Sequence, residues 1–364
     1  MNDLQVRVSA AAFIIAFFIS VLTTAVVRRW AVRHDWVDRP GGHKVHEKPV
    51  ALLGGIALVA AVLLPMLVVL VAAHVIRPDL APVAIRQHLP GIMLKTPEAL
   101  AVITGGLILH VIGLYDDVRP MGALTKLLFQ TLVAVFVVVG FQVRLLTALG
   151  PVASGIISVL WIVTLTNAFN FLDNMDGLAA GVGLIAISAF AATAMQTGQL
   201  FVPACCWLLA GGLAGYLPYN FHPASIFLGD AGSLVLGYLV AVFTILTTFY
   251  DPTLNARPTG VLAPLVVMAV PLYDTASVFF LRWRAGISIW RADRRHFSHR
   301  LQRRGLSVRE AVGVIWLATA ITALPATLLP NASWPLAVGI VAQSLGVVVL
   351  VAYLEKAAPA ETAP

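Results

Sequence analysis

Apolar residues run along this chain in long unbroken stretches, separated by short polar connections. A helix rises about 1.5 Å per residue, so crossing a hydrocarbon core of ~30 Å takes about 20 apolar residues. The pattern predicts eleven membrane spans, at residues 8–27, 51–73, 98–115, 124–140, 153–168, 178–196, 200–217, 231–250, 261–281, 311–329 and 335–353, with a weakly marked break between the sixth and seventh. The runs are continuous rather than alternating, which excludes a transmembrane barrel. No repeat, low-complexity tract or inserted soluble domain interrupts them. Residues 1–364 therefore read as a single membrane-embedded domain, an all-α polytopic integral membrane protein with about 10–11 transmembrane helices.

Composition agrees. The chain is 59% hydrophobic and only 11% charged, with a mean hydropathy of +0.90, whereas soluble domains carry about 25% charged residues. A net charge of +7 does not point to nucleic acid, because the basic residues sit in the connections between spans. That is the topogenic pattern, and it orients the chain. Arg28 and Arg29 follow the first apolar stretch instead of preceding it, so this stretch reads as a retained span with the N-terminus outside. The inner connections then hold Arg28, Arg29, Arg33, Arg39, Lys44, Lys48, Arg119, Lys126, the cluster from Arg282 to Arg309, and Lys356. The outer ones hold only Arg7, Arg77, Arg86, Lys95, Arg144 and Arg257, an asymmetry of about three to one. Cys205 and Cys206 are adjacent within an apolar run and read as buried free thiols.

Acids are scarce enough that their placement is informative. Asp116-Asp117 end the third span, Asn167-x-x-Asn170-x-x-Asp173-x-x-Asp176-Gly177 follows the fifth, and Gly229-Asp230-x-Gly232-Ser233 opens the eighth. Span parity puts all of them on the inner, cytoplasmic face. Neighbouring side chains on a helix diverge by about 100°. Asp116 and Asp117 should therefore divide their labour, one near a metal or phosphate and the other near a cation such as Lys126; the alternative is a solvated helix end. The stripe Asn167, Asn170, Asp173, Asp176 presents four oxygen-bearing groups to one concave region, although Asp176 could also be the N-cap of the next span. Asp230 could likewise be an N-cap, while the helix it opens favours an anionic phosphate. Scattered single acids suit Mg²⁺, which takes one or two carboxylates plus phosphate oxygens and water. His296 and His299 lie three apart and would share a helix face. No third soft ligand accompanies them as zinc would require, and the surrounding arginines point to pyrophosphate contacts. The basic, turn-rich loop Asp38–Pro49 either lines a lipid-phosphate entrance or is a connector.

Taken together, these residues resemble the polyprenyl-phosphate N-acetylhexosamine-1-phosphate transferases, the MraY/WecA-type family, from about Arg28 to Ser307. The motifs behind the likeness are Asp116-Asp117, the block from Asn167 to Gly181, Gly229-Asp230-x-Gly232-Ser233-Leu234, and His296-x-x-His299-Arg300-Leu301. Asp38-Arg39-Pro40-Gly41-Gly42 with Gly54-Gly55 look more like the WecA/TagO branch than the muramoyl-pentapeptide branch. Two departures stand out: Asn174 where many members have glycine, and Ser298 within an otherwise denser histidine cluster.

The resemblance implies transfer of an N-acetylhexosamine 1-phosphate, GlcNAc-1-phosphate by branch, from a UDP-sugar to polyprenyl phosphate, with UMP released. It implies Mg²⁺, with Mn²⁺ able to substitute, in a bacterial cytoplasmic membrane at the first membrane step of a cell-envelope polysaccharide pathway. Asp116, Asp117, Asp173 and Asp230 would be the catalytic carboxylates. Asp230 would bind metal with Asn170 nearby, Asp116 or Asp117 would stand at the lipid-phosphate end, and Asp173 and Asp176 would surround the nucleotide-sugar. Lys126, Asn167, His296, His299 and Arg300 would hold substrate, and a homodimer is implied as well. The expected chemistry is in-line attack of the lipid phosphate on the β-phosphorus; a covalent aspartyl intermediate is the alternative. Two competing readings are the muramoyl-pentapeptide activity and, from another class, an ion-coupled secondary transporter. Transporters favour internal repeats and acids at the midplane, and this chain has neither.

Overall fold

A computed structural model describes residues 3–39, 49–76, 86–250, 257–288 and 295–355. The helices are α1 (Asp3–Arg33), α2 (Gly54–Val75), the short α3 (Leu89–Leu94), α4 (Thr96–Val118), α5 (Ala123–Gly140), α6 (Pro151–Leu172), α7 (Leu178–Gln196) and α8 (Phe201–Asn220). They continue with α9 (Asp230–Leu246), α10 (Ala263–Val267), α11 (Ala269–Arg284), the short α12 (Phe297–Gln302), α13 (Val308–Ala326) and α14 (Trp334–Leu354). Among the described residues nine helices are long and apolar enough to cross a membrane, or ten when the pair Pro258–Val267 and Ala269–Arg284, bent by 57°, is taken as one span. The 17-residue α9 corresponds to the eighth predicted span, 231–250, and is shorter than the others. The protein is a multi-pass membrane protein. The break between the sixth and seventh predicted spans falls at residues 197–200, and the first helix outruns its apolar stretch at both ends. Cys205 and Cys206 are buried and unbridged.

α1 is built inside out. Its buried face is Gln5, Ser9, Ala12, Ala16, Ser20 and Thr24, at helical spacing, while Ile14, Ile15, Phe18, Leu22 and Val26 are exposed. Lipid is as apolar as leucine, so no hydrophobic drive separates the two faces, and small residues that allow close approach decide which one packs. Against α1, a Cβ on Gly211 or Gly215 of α8 would strike the carbonyls of Phe13 and Phe17, and Ser20 Oγ donates to Gly212 O at 2.6 Å.

α9 is the opposite case. Every residue from Ala231 to Thr244 is buried, as expected of a helix that is apolar all round. It packs chiefly on α4 and α6, and also on α2. Its entry is pinned by backbone pairing. Two short antiparallel strands, β1 (Val37–Asp38) and β2 (Val50–Ala51), precede α2. From there Ala51 O accepts from Phe227 N at 2.8 Å, and Gly54 N and Gly55 N donate to Phe227 O and Leu228 O at 3.0 Å each. The chain just before α2 thus holds the chain just before Asp230.

Candidate active site

Four helix ends meet at one end of the bundle. α4 stops at Val118 because Arg119 precedes Pro120, a position that disfavours helix. The turn is closed by Asp116 Oδ1, which accepts from Met121 N at 2.5 Å. This brings the start of α5 alongside, and Lys126 Nζ sits 2.6 Å from Asp116 Oδ2 and 2.5 Å from Asp230 Oδ2. From the end of α6, Asn170 Nδ2 donates to Asp230 Oδ1 and to Ser233 Oγ, both at 2.9 Å. Asp116, Lys126, Asn170, Asp230 and Ser233 thus form one hydrogen-bonded cluster, although their positions span more than a hundred residues of sequence.

Asp116 is the acid beside the cation Lys126, and Asp117 turns to backbone instead. The Asp117 carboxylate accepts from Asp230 N at 2.8 Å and from Ala231 N at 3.2 Å. It caps α9 from a neighbouring helix, the task that the alternative reading gave to Asp230 itself. This corrects the expectation of a phosphate at that helix end: the first amides of α9 are taken by Asp117, and those of Gly232 and Ser233 by Gly229 O. His110 Nδ1, one further buried polar group of α4, lies 2.9 Å from Ala231 O. The two backbones approach closely here, since a Cβ on Gly113 would fall on Asp230 and Ala231.

The stripe following the fifth span does not converge as its spacing predicted. Asn167 turns to α5, donating to Gln130 Oε1 at 2.5 Å and to Val163 O at 2.8 Å. Asp176 is not the cap of α7, whose N-cap is Gly177 without a side-chain bond. Instead its Oδ2 lies 2.7 Å from His222 Nδ1 and accepts from Ala224 N at 3.0 Å. Arg309 Nε donates to the His222 carbonyl at 3.0 Å. The residues diverge because α6 ends at Leu172, and the turn that follows aims each later side chain elsewhere. Asp173, in that turn, remains with the cluster. Burial pushes its carboxyl well above the usual range, the charges of Asp230, Asp117 and Asp176 act the same way, and the Gly229 amide opposes them.

The histidine segment also divides. His296 lies before α12, with Nδ1 3.1 Å from Asp274 Oδ2. His299 Nδ1 lies 3.2 Å from Gln302 Oε1, so the Nδ1 atoms of the two rings serve different partners. Arg300, expected among the phosphate contacts, is committed to protein: its Nε stands 2.9 Å from Glu355 Oε2, and its other nitrogens donate to Glu355 Oε1, Ser277 Oγ and Arg295 O. The physical reason is burial, since a guanidinium with 9% side-chain exposure needs a carboxylate beside it. α12 is tied to the site by Ser298 Oγ, which donates to Asn174 Oδ1 at 2.5 Å. Lys44, Lys48 and the loop Pro40–Lys48, read as a lipid-phosphate entrance or a connector, lie outside the described residues, as does Lys356.

Sequence reading missed Gln130, His222, Asp274 and Glu355. Asp274 carried a signal, since it is an acid inside a predicted apolar span, as scarce there as Asp116. Nothing in the local sequence sets His222 or Glu355 apart.

As a metal site the cluster fits a hard cation. Its candidate donors are oxygens only, from Asp116, Asp230, Asp173, Ser233 and the Asn170 amide, and the carboxylate repulsion that adds to burial in raising Asp173 is a charge that a divalent ion would relieve. Among the described residues, no group of three or more His, Cys, Asp or Glu is placed to hold a metal ion, so an ion bound here would need substrate phosphate and water to complete its shell.

Fold and site together define an integral membrane protein whose polar chemistry is gathered at one end of its helix bundle. Residues 99–248 match glycosyl transferase family 4. The chain is 32% identical over 342 residues to the probable undecaprenyl-phosphate N-acetylglucosaminyl 1-phosphate transferase of Bacillus subtilis (strain 168), covering 92% of this chain and 88% of the other. It is 34% identical over 338 residues to the decaprenyl-phosphate N-acetylglucosaminephosphotransferase of Mycolicibacterium smegmatis (85% and 79%). The undecaprenyl-phosphate alpha-N-acetylglucosaminyl 1-phosphate transferase of Yersinia pestis is 28% identical over 321 residues (85% and 80%). The chain belongs to the polyprenyl-phosphate N-acetylhexosamine-1-phosphate transferase family, of the WecA/TagO type.

Proposed function

We infer that the protein transfers N-acetylglucosamine 1-phosphate from UDP-N-acetylglucosamine to a polyprenyl phosphate in the bacterial cytoplasmic membrane. The products are polyprenyl-diphosphate-N-acetylglucosamine and UMP, at the first membrane step of a cell-envelope polysaccharide. The observation that carries this reading is the convergence of Asp116, Lys126, Asn170 and Asp230 from four helix ends, in a chain whose relatives are named for this transfer. The charge asymmetry of the connections supports a cytoplasmic face for the cluster.

In the proposed reaction an oxygen of the lipid phosphate attacks the β-phosphorus. The bond from that phosphorus to the bridging oxygen breaks, and the bridging oxygen leaves with UMP. A phosphate monoester is largely a dianion at neutral pH, so the nucleophile needs no strong base. Asp116, beside the α4–α5 turn, stands at the lipid-phosphate end. Lys126 offsets the repulsion between Asp116 and Asp230, and Asn170 fixes the rotamer of Asp230. Asp117 acts by holding the start of α9. Asp173 faces the nucleotide-sugar, while Asp176 is turned to His222 and Ala224 and shapes the segment behind it. Mg²⁺ held by Asp230 and Asn170, or Mn²⁺ in its place, would supply charge neutralisation on the diphosphate.

The test is UMP release from a panel of UDP-sugars, with and without polyprenyl phosphate and Mg²⁺, for the parent chain and for Asp230→Ala. The expected result is release from UDP-N-acetylglucosamine that depends on lipid, metal and Asp230. Preference for UDP-N-acetylmuramoyl-pentapeptide, or full turnover by a folded Asp230→Ala variant, would overturn it.

A further inference from the structure

Asp274 is 1% exposed on α11, inside a span, where a carboxylate is costly unless every lone pair has a use. Both of its oxygens are in use. Oδ1 accepts from Phe297 N at 2.6 Å, capping α12 in place of its own N-cap residue, which makes no side-chain cap. Oδ2 faces His296 Nδ1 at 3.1 Å, with His296 itself 6% exposed. Helix capping needs only the first of these contacts. The second goes to an imidazole, and an ionised carboxylate only accepts, so Nδ1 carries a proton; Nε2 is then an acceptor in the neutral ring and a donor in the imidazolium, which the carboxylate favours.

The ring it steers stands over the site segment. His296 packs on Phe171 with ring centroids 5.5 Å apart, and Phe171 lies between Asn170 and Asp173 in the chain. The Arg282 guanidinium is 5.9 Å from the same Phe171 ring, and Phe279 meets its edge at 5.8 Å. α11 and α12 therefore bring their cationic and imidazole groups to the α6 end through one aromatic contact.

We propose that Asp274 is a positioning residue that holds His296 as the imidazolium, with Nδ1–H on the carboxylate, so that Nε2–H donates to a phosphate oxygen of the bound diphosphate. This rests on the reading that the site takes a nucleoside-diphosphate sugar. Asparagine and glutamine separate the two ring nitrogens. The amide nitrogen of His296→Asn falls where Nδ1 was, and keeps the bond to Asp274 while the donor toward substrate is lost. Asp274→Asn still caps Phe297 through its amide oxygen but removes the carboxylate that favours the imidazolium, so the charge-assisted Nε2–H donor is lost.

The experiment measures binding of UDP and, in parallel, of inorganic pyrophosphate, to the full chain in detergent with Mg²⁺, alongside thermal unfolding. Asp274→Asn and His296→Asn are each expected to weaken binding about tenfold, the scale of one charge-assisted hydrogen bond, with the melting midpoint little changed. The double variant should bind no more weakly than His296→Asn alone. Parent-like binding in either single variant, or losses that multiply in the double, would overturn the proposal. Should Asp274→Asn fail to fold, His296→Asn alone decides it, because parent-like binding there removes the donor's role. A pyrophosphate response that tracks Asp274 with no response to UDP would sink the UDP-sugar reading and keep this one. Indifference to both anions overturns this one.

Discussion

The carboxylate of Asp117 accepts the backbone N–H of Asp230 at 2.8 Å. One acid of the adjacent pair is therefore spent on aiming another acid. Asp117→Ala is expected to cost about 1–2 kcal/mol of stability, as for a lost cap, and to lower transfer about 10–100-fold, the usual cost of losing a supporting partner. Asp117→Asn, which keeps one acceptor oxygen, should fall between parent and alanine. Melting curves and UMP release check this; a parent-like Asp117→Ala enzyme would remove the capping role.

Lys126 is the counter-charge between Asp116 and Asp230. Lys126→Met leaves two partly buried carboxylates facing each other, a loss of about 3 kcal/mol together with most of the activity. Adding Asp116→Asn to Lys126→Met should recover part of the melting temperature but not the turnover. If the second substitution lowers the midpoint further, the triad does not work as described.

Removal of divalent cations should silence the enzyme. The donors are oxygens, so after chelation Mg²⁺ or Mn²⁺ is expected to restore UMP release, while Zn²⁺, which prefers nitrogen and sulfur, should restore little. Undiminished turnover in excess chelator would count against the proposed ion.

Glu355 lies just past α14, and closes α12 against the bundle. Beyond its contacts to Arg300, it receives Tyr273 Oη at 3.1 Å, and its carbonyl accepts from Arg304 Nε at 3.0 Å. Glu355→Ala should destabilise the protein by about 3–5 kcal/mol by leaving a buried guanidinium unpaired. Replacing Arg300 as well, by Met, should return much of that loss in a melting experiment. If Glu355→Ala alone leaves the midpoint unmoved, the pair is ornamental.

The spans were legible because each is a local sum of transfer free energies, and every predicted stretch became a helix or a bent pair. Span parity put Asp116, Lys126, Asn170 and Asp230 at the same end, since all four lie near span ends; that they touch came from the packing. Partners across the bundle were not legible. Nothing near Asp176 announces His222, and nothing near Arg300 announces Glu355, because each contact joins helices whose rotation the local sequence does not set. Asp274 could have been flagged by its scarcity, but its partner could not.

By itself, then, the sequence determined which stretches form long apolar helices, the end of the bundle where the polar groups gather, and the family. The tertiary structure decided which carboxylate touches substrate-facing groups and which caps a helix, and that Arg300 serves the scaffold. Hydropathy is a property of each segment and can be read along the chain. Helix rotation and tilt are set by small residues such as Gly113 and Gly211 meeting a neighbour's backbone, and that information exists only once the helices pack.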